Sequence, residues 1–328
     1  MKALAEDRPP LPARKAPERP RATPAVRIAG LAVVVALAAL AARHVDLRAV
    51  AHALAGANPW YVALACGANV LSLALHSRRW AAVVRPPSVR IRFRDAFWPL
   101  VAGFAAGLVV PARAGDVLRA WMLARRTGLS TATVVAAAAL DYLVGAATLV
   151  PVLALVALGT PLPGWARHVL LLFALVATIG SIAVWFLRPP RDRPPPAPGT
   201  GGLVTRLRSG LAAAHEPRAI AASVAWGLGG WGAEVLIALF ALAALELPAA
   251  FPVAGLAVVA TTAANVVVVS PGNAGPFELA AMLALTSVGV DRAPALAFAL
   301  LYHLAHLLPV GILGAWVALR EAATRRAA

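Results

Sequence analysis

Charged residues are scarce in this chain, and acidic residues are the scarcest of them. Of 328 residues only 13% are charged, and just 14 are Asp or Glu. Soluble domains carry about twice that share of charge, so the composition excludes an ordinary water-exposed globular protein. Cysteine is nearly absent as well. The single Cys66 can form no internal disulfide and no cysteine metal cluster, and we interpret it as a small packing residue.

What the chain has instead is a series of long apolar runs. Hydrophobic residues make up 61% of the sequence, and the mean hydropathy is +0.77. Several runs are long enough to cross a hydrocarbon core of about 30 Å, and the alternation typical of strands is missing, which argues against a β-barrel. The pattern predicts an all-α polytopic membrane protein. The runs are 26–42, 59–76, 96–112, 131–158, 168–187, 219–245, 251–270, 276–290 and 294–319.

Two polar stretches organise the chain. Residues 1–25 are rich in Pro, Arg and Ala and have no apolar face, which predicts a disordered basic cytoplasmic tail. Residues 188–202, RPPRDRPPPAPGTGG, are too polar for lipid and mark a linker between two halves. The predicted domains are therefore the tail 1–25, a first membrane repeat 26–158, a connecting segment 159–218, the remainder of the second membrane repeat at 219–319, and a cytoplasmic tail 320–328. The connecting segment consists of an outer loop, the membrane helix 168–187 that starts the second repeat, and the cytoplasmic linker 188–218.

The positive charges predict which runs cross the membrane completely. We assume a cytoplasmic N-terminus, about six full crossings, and two segments, 96–127 and 251–290, that enter the membrane and return on the same side. This topology places 26 of the 30 Lys and Arg residues inside. Such a bias follows the positive-inside rule and explains the net charge of +16 without nucleic-acid binding, which we do not expect. It predicts a multi-pass membrane protein with both termini in the cytoplasm.

An internal repeat connects the two returning segments. The stretch GLVVPARAGDVLRAWMLARRTGLS, 107–130, aligns with VVVVSPGNAGPFELAAMLALTSVGV, 266–290, so that Pro111 matches Pro271 and Gly115 matches Gly275. Each copy leads into a long apolar helix, with LDYL at 140–143 in one and LLYHL at 300–304 in the other. In the assumed topology the copies enter from opposite sides. This predicts two inverted repeats with re-entrant broken helices, a plan used by many secondary transporters.

The broken helices suggest an anion site. Pro271 cannot donate a backbone hydrogen bond, Gly272 and Gly275 permit unusual backbone angles beside Asn273, and a new half-helix can begin near Pro276. The free N–H groups of such a helix end attract negative charge inside a membrane. In the first copy, two basic residues, Arg113 and Arg119, add full positive charge. A lipid phosphate fits this description.

The ionisable residues of the runs also have structural interpretations. Asp116 and Glu278 either cap their half-helices or contact substrate or protons, and Arg119 can pair with Asp116 three residues back. Asp141 and Glu234 lie deep in apolar runs, where an ionisable side chain needs a partner or a water-filled cavity.

Other polar and aromatic residues of the runs raise fewer functional expectations. His303 and His306 share a helix face, but without other ligands nearby we expect no metal or cofactor. Tryptophans near the run ends, among them Trp80, are interpreted as membrane-interface anchors.

These motifs resemble a known family. GLVVPARAGDVLRAWML, SPGNAGPFELAAMLALTSVGV and the following ALAFALLYHL are similar to the transmembrane region of lysylphosphatidylglycerol synthase, a flippase-like family of integral membrane proteins, and the likeness extends over 26–319. The resemblance implies movement of an anionic or aminoacylated lipid, or of a lipid-linked sugar carrier, between leaflets. It differs where His303 replaces a frequent Arg and where Asp141 and Tyr142 replace a common acidic and basic pair. Residues on the family's motif positions are Pro111, Gly115, Asp116, Arg119, Pro271, Gly272, Gly275 and Glu278.

Three functions stay open at this stage. The first is a flippase or lipid-handling transporter whose partner is a membrane phospholipid or a polyprenyl-linked lipid, bound between the broken helices. The second is an intramembrane transferase with Asp116 or Glu278 as its base, although no nucleophile and base pair or phosphate-binding glycine loop accompanies them. The third is a membrane scaffold for a separate lipid synthase or glycosyltransferase.

Overall fold

The computed structural model describes six segments of the chain: 46–84, 91–110, 114–159, 164–187, 202–266 and 270–326. The predicted first run at 26–42, the tail 1–25, most of the linker, and Pro111 and Arg113 lie outside them. Within the described part the protein is helical and contains no strand. In chain order the helices are α1 (Leu47–Ala55), α2 (Pro59–Val84), α3 (Phe93–Gly107), α4 (Ala114–Thr127), α5 (Thr131–Gly159), α6 (Gly164–Leu187), α7 (Leu203–Gly210), α8 (Pro217–Ala244), α9 (Phe251–Ala264), α10 (Pro276–Thr286) and α11 (Arg292–Arg326).

Five of these helices are long and apolar enough to cross a membrane. The membrane-crossing candidates are Pro59–Val84, Thr131–Gly159, Gly164–Val184, Pro217–Ala244 and Arg292–Thr324. Each coincides with one of the six runs predicted to cross completely, and the sixth, 26–42, lies outside the described residues. The prediction of an all-α polytopic membrane protein is therefore confirmed.

The helices of the two predicted returning segments are shorter. α3, α4, α9 and α10 contain 15, 14, 14 and 11 residues. At about 1.5 Å per residue none of them matches the roughly 30 Å of a hydrocarbon core. α3 packs against α4, and α9 packs against α10. Each pair is thus a compact helical hairpin set among longer helices.

Helices α2 and α8 form the central antiparallel pair. The Asn58 N–H, before α2, donates to the Ala244 carbonyl at the end of α8, at 2.8 Å. At the other end the Ser223 hydroxyl donates to the Arg79 carbonyl, at 3.4 Å. Glycine makes this approach possible, because a Cβ at Gly230 would lie 2.7 Å from the His76 ring. Small residues at such interfaces let membrane helices pack closely.

Backbone geometry defines the two hairpins. In the first, Gly103 of α3 and Gly115 of α4 meet so closely that a Cβ at Gly115 would lie 2.0 Å from the Gly103 carbonyl oxygen. In the second, Gly272 and Gly275 have φ of 61° and 93°, and α10 begins at Pro276 as the sequence predicted. A side-chain hydrogen bond of 2.7 Å from Asn273 to Asn265 holds this break against the end of α9. Of the predicted site residues, Gly115 therefore lies in the close contact between α3 and α4, and Asn273 holds the loop before α10.

Candidate functional site

Helix α4 opens with an ion pair on the side of α5. Arg119 Nε lies 3.1 Å from Asp116 Oδ1, the pairing that their spacing of three residues allows. The Tyr142 hydroxyl of α5 donates to the same Asp116 oxygen at 2.7 Å. Asp116 therefore links the start of the half-helix to the following long helix.

Arg119 is buried between aromatic rings. Arg119 is only 5% exposed. Its guanidinium carbon lies 5.1 Å from the Trp80 ring centroid and 5.2 Å from the Tyr142 ring centroid. Such cation–π contacts stabilise the charge. The interpretation of Trp80 as an interface anchor is wrong, because this side chain is fully buried. The reason is that α2 continues to Val84, which places Trp80 inside the bundle.

A second buried ion pair joins α2 to α5. Arg79 Nε lies 2.8 Å from Asp141 Oδ1, and Arg79 Nη2 lies 3.3 Å from Oδ2. The two residues are 8% and 1% exposed. Asp141 thus has the partner that a carboxylate in a span requires. Sequence reasoning missed Arg79, because it was counted among the basic residues between two runs.

Besides Arg119 Nε, which lies 3.1 Å from Asp116 Oδ1, three buried donors of this region have no acceptor among the residues that the structure describes. They are Arg119 Nη2, Arg79 Nη1 and the indole N–H of Trp80. Guanidinium and indole groups can only donate hydrogen bonds, and buried donors are rarely left unsatisfied. The unmet need at this place is therefore for acceptor oxygens, and anionic ones match two guanidinium groups best.

Glu234 of α8 connects α2 with α11. Its Oε1 accepts a hydrogen bond from the Ser72 hydroxyl and lies 3.9 Å from His76 Nε2. Its Oε2 lies 2.9 Å from His306 Nε2. His76 is also within electrostatic range of Arg79, Asp141 and Arg119, so Glu234 and the two arginines belong to one polar region.

Glu278 caps α10 and also contacts α11. Its Oε2 accepts from the Gly275 N–H at 2.7 Å, which is the capping role considered from the sequence. Its Oε1 lies 2.6 Å from His303 Nδ1, and His303 Nε2 lies 3.0 Å from the Gly272 carbonyl oxygen. The Phe277 ring stacks on the His303 ring with centroids 4.3 Å apart. One carboxylate and one histidine therefore hold the break, the half-helix and the long helix together.

The two histidines of α11 serve different carboxylates. His303 contacts Glu278, whereas His306, one turn later, contacts Glu234. The described residues include no group of three or more His, Cys, Asp or Glu side chains that could hold a metal ion. Two groups of predicted site residues are brought together by the structure. Asp116, Arg119 and Asp141 lie in the contacts among α2, α4 and α5. Where the break before α10 meets α11, the structure places Gly272, Gly275, Glu278 and His303.

One sequence signal points to the residues that were missed. Asn69, Ser72, His76 and Arg79 are spaced by three or four residues and so lie on one face of α2. All four are polar in a largely apolar helix, and Asn69, Ser72 and Arg79 are buried. A polar stripe on a membrane-spanning helix indicates a face turned toward the interior of the bundle.

The helices and the polar interior define a polytopic helical membrane protein with two interrupted hairpins. The chain belongs to the family described as the lysylphosphatidylglycerol synthase transmembrane region, whose family model matches residues 27–314. Among curated proteins no match is found. The family is a membrane domain, in agreement with the five apolar helices long enough to cross a bilayer.

Proposed function

We propose that this protein moves an anionic lipid, or a lipid-linked headgroup, between the leaflets of the bacterial plasma membrane. The observation that carries the proposal is a set of buried donors that have no acceptor in the described part of the chain, Arg119 Nη2, Arg79 Nη1 and Trp80 Nε1. A phosphate oxygen meets this need, and two arginine side chains favour a charged phosphate over a neutral acceptor. The start of α4, next to Arg119, adds the positive end of a helix dipole.

The contacts of the two hairpins support an internal repeat. In each, the acid in the first turn of the half-helix binds a side chain of the next long helix, Asp116 with Tyr142 and Glu278 with His303. A second pair joins the preceding long helix to the same following helix, and its charges are reversed: Arg79 of α2 with Asp141 of α5, and Glu234 of α8 with His306 of α11. We infer two re-entrant hairpins and a site between them near the midplane.

Cysteine labelling tests this topology. The proposal puts the end of α4 on the cytoplasmic side with both chain termini, and the turn before α11 on the outer side. Arg125 and Asp291 are exposed and mark these two places. Single cysteines there, in a Cys66→Ala background, are expected to react with a membrane-impermeant maleimide from opposite sides of right-side-out and inverted vesicles. Labelling of both from the same side would rule out the inverted arrangement.

Reconstitution distinguishes transport from the other functions. The test uses phosphatidylcholine vesicles that contain fluorescent phosphatidylglycerol. The protein is expected to move probe from the inner to the outer leaflet, where a membrane-impermeant quencher added outside can reach it. The probe should be recovered chemically unchanged. A covalent product would favour an intramembrane transferase, and neither exchange nor product would favour a scaffold for a separate synthase or glycosyltransferase. Protein-free vesicles and vesicles with the neutral fluorescent phosphatidylcholine are the controls for leakage and for headgroup selectivity.

A further inference from the structure

Two histidines of α11 are each fixed by a backbone carbonyl group. His303 Nε2 lies 3.0 Å from the Gly272 oxygen, and His306 Nδ1 lies 2.9 Å from the Tyr302 oxygen. A carbonyl oxygen can only accept a hydrogen bond, so in both rings this nitrogen carries the hydrogen. The opposite ring nitrogen of each histidine is thereby left to its other partner.

That other partner is a carboxylate in both cases. His303 Nδ1 lies 2.6 Å from Glu278 Oε1, and His306 Nε2 lies 2.9 Å from Glu234 Oε2. With the first nitrogen donating to a carbonyl, a neutral ring would direct a lone pair at the carboxylate oxygen. A hydrogen bond at these distances therefore needs one more proton, either on the ring as imidazolium or on the carboxyl as an acid.

The remaining carboxylate oxygens already have donors. Glu278 Oε2 accepts from the Gly275 N–H at 2.7 Å, and Glu234 Oε1 accepts from the Ser72 hydroxyl. Each histidine and glutamate pair therefore holds one proton between its members and is neutral as a unit. Removal of that proton leaves one negative charge and one repulsive contact in a mostly buried place, which is unfavourable.

Among the described residues, further ionisable groups act on only one of the two pairs. The Glu278 and His303 pair lies against α9, which contains no ionisable residue. The Glu234 and His306 pair faces one further histidine, His76, and one tyrosine, Tyr302. Three charged groups, two basic and one acidic, act on His76 in turn: Arg79, Arg119 and Asp141. α1 and α3, which also pack against α11, contribute Arg48, His52, Arg94 and Asp95, of which only Asp95 is half-buried.

We propose that the two histidine and glutamate pairs are proton-binding sites that couple lipid movement to proton movement, an inference that rests on the proposed transport function. The contacts explain how the coupling works. The Gly272 carbonyl and the Gly275 N–H belong to the break before α10, so the protonated pair holds the break to α11. Loss of the proton to water breaks the contact between His303 and Glu278 and frees this half-helix. At the second pair, the same loss separates α8 from α11.

Glutamine variants test the proton separately from the hydrogen bonds. In Glu278→Gln the amide oxygen can still accept from Gly275, while the amide NH₂ donates to a neutral His303. Glu234→Gln can likewise accept from Ser72 and donate to His306. Both variants should fold normally, because they imitate the pair with its proton on the carboxyl group, but they cannot release that proton. The matched control is Glu216→Gln, an exposed acid at the start of α8.

The transport experiment uses vesicles with a pH gradient. Wild-type protein and Glu216→Gln are expected to drive fluorescent phosphatidylglycerol toward one leaflet, by about tenfold per pH unit if one proton moves with each lipid. Glu278→Gln and Glu234→Gln should bind the lipid and fail to accumulate it. If the wild type exchanges lipid between leaflets at a rate and to a final distribution that do not depend on the pH gradient, and both variants exchange lipid normally, the coupling is wrong and the proposed transport still stands. An absence of any exchange contradicts the transport function instead.

A spectroscopic measurement examines proton binding without transport. In ¹⁵N-histidine NMR spectra of the purified protein near pH 6, combined with the infrared band of protonated carboxyls, each pair should show one proton, on the ring or on the acid. Glu278→Gln should leave His303 as the neutral Nε2–H tautomer, and Glu234→Gln should leave His306 as the neutral Nδ1–H tautomer. Neutral rings together with ionised carboxylates in the wild type at this pH would overturn the proposal.

Discussion

Replacement of Asp141 by asparagine is expected to lower the free energy of unfolding by about 3–5 kcal/mol, the usual cost of leaving one charge of a buried pair without its partner. The Arg79 guanidinium would keep its charge at a position only 8% exposed, between α2 and α5. Its Nη1 packs closely against α5, where a Cβ at Gly145 would lie 3.0 Å away. Reversible unfolding in mixed detergent micelles, followed by circular dichroism, measures the change.

Two further variants show whether the loss comes from the unpaired charge. The double variant Arg79→Met with Asp141→Leu removes both charges and should recover most of the lost free energy, because no isolated charge remains buried. Arg78→Met, on the exposed neighbour of Arg79, is the matched control; it loses only cation–π contacts with Phe93 and Trp226 and should lower the free energy of unfolding far less. If Asp141→Asn also unfolds like the wild type, the pair is accessible to water in the folded protein, and the buried ion pair is the wrong description.

Local pattern predicted much of the fold. Long apolar runs specify spans because lipid leaves no other way to satisfy the backbone, and five of the predicted spans coincide with helices of the structure. The start of α10 at Pro276 and the cap by Glu278 follow from proline and an acid in the first helical turn, which are local signals as well. Such features depend on a few neighbouring residues and can be read directly.

Partners across helices could not be predicted in the same way. Asp141 and Glu234 were expected to need partners, yet Arg79 lies 62 residues from Asp141 and His306 lies 72 residues from Glu234. No periodicity within one helix specifies which other helix packs against it. The positive-inside rule also led to a different interpretation of Arg79, since a basic residue near the end of an apolar run is ordinarily a cytoplasmic anchor. The polar stripe of α2 is the stronger signal, because it marks a helix face.

The largest effect on lipid affinity is expected from Arg119→Gln. A hydrogen bond between a buried guanidinium and a phosphate contributes about 1.5–3 kcal/mol. Its loss should weaken binding of phosphatidylglycerol by about tenfold to a hundredfold. Titration of the purified protein with fluorescent phosphatidylglycerol in micelles measures this change. Arg125→Gln, an exposed residue of the same helix, should bind like the wild type.

The lysine variant separates charge from geometry at the same position. Arg119→Lys keeps one positive charge but loses the planar group that lies over the Trp80 and Tyr142 rings and the second donor available to a phosphate. Its affinity should therefore fall between those of the wild type and Arg119→Gln. Equal affinity of all three proteins would show that Arg119 serves only to pair with Asp116. The phosphate would then have to bind elsewhere, and Arg79, whose buried Nη1 also lacks an acceptor in the described part of the chain, would be the next residue to replace.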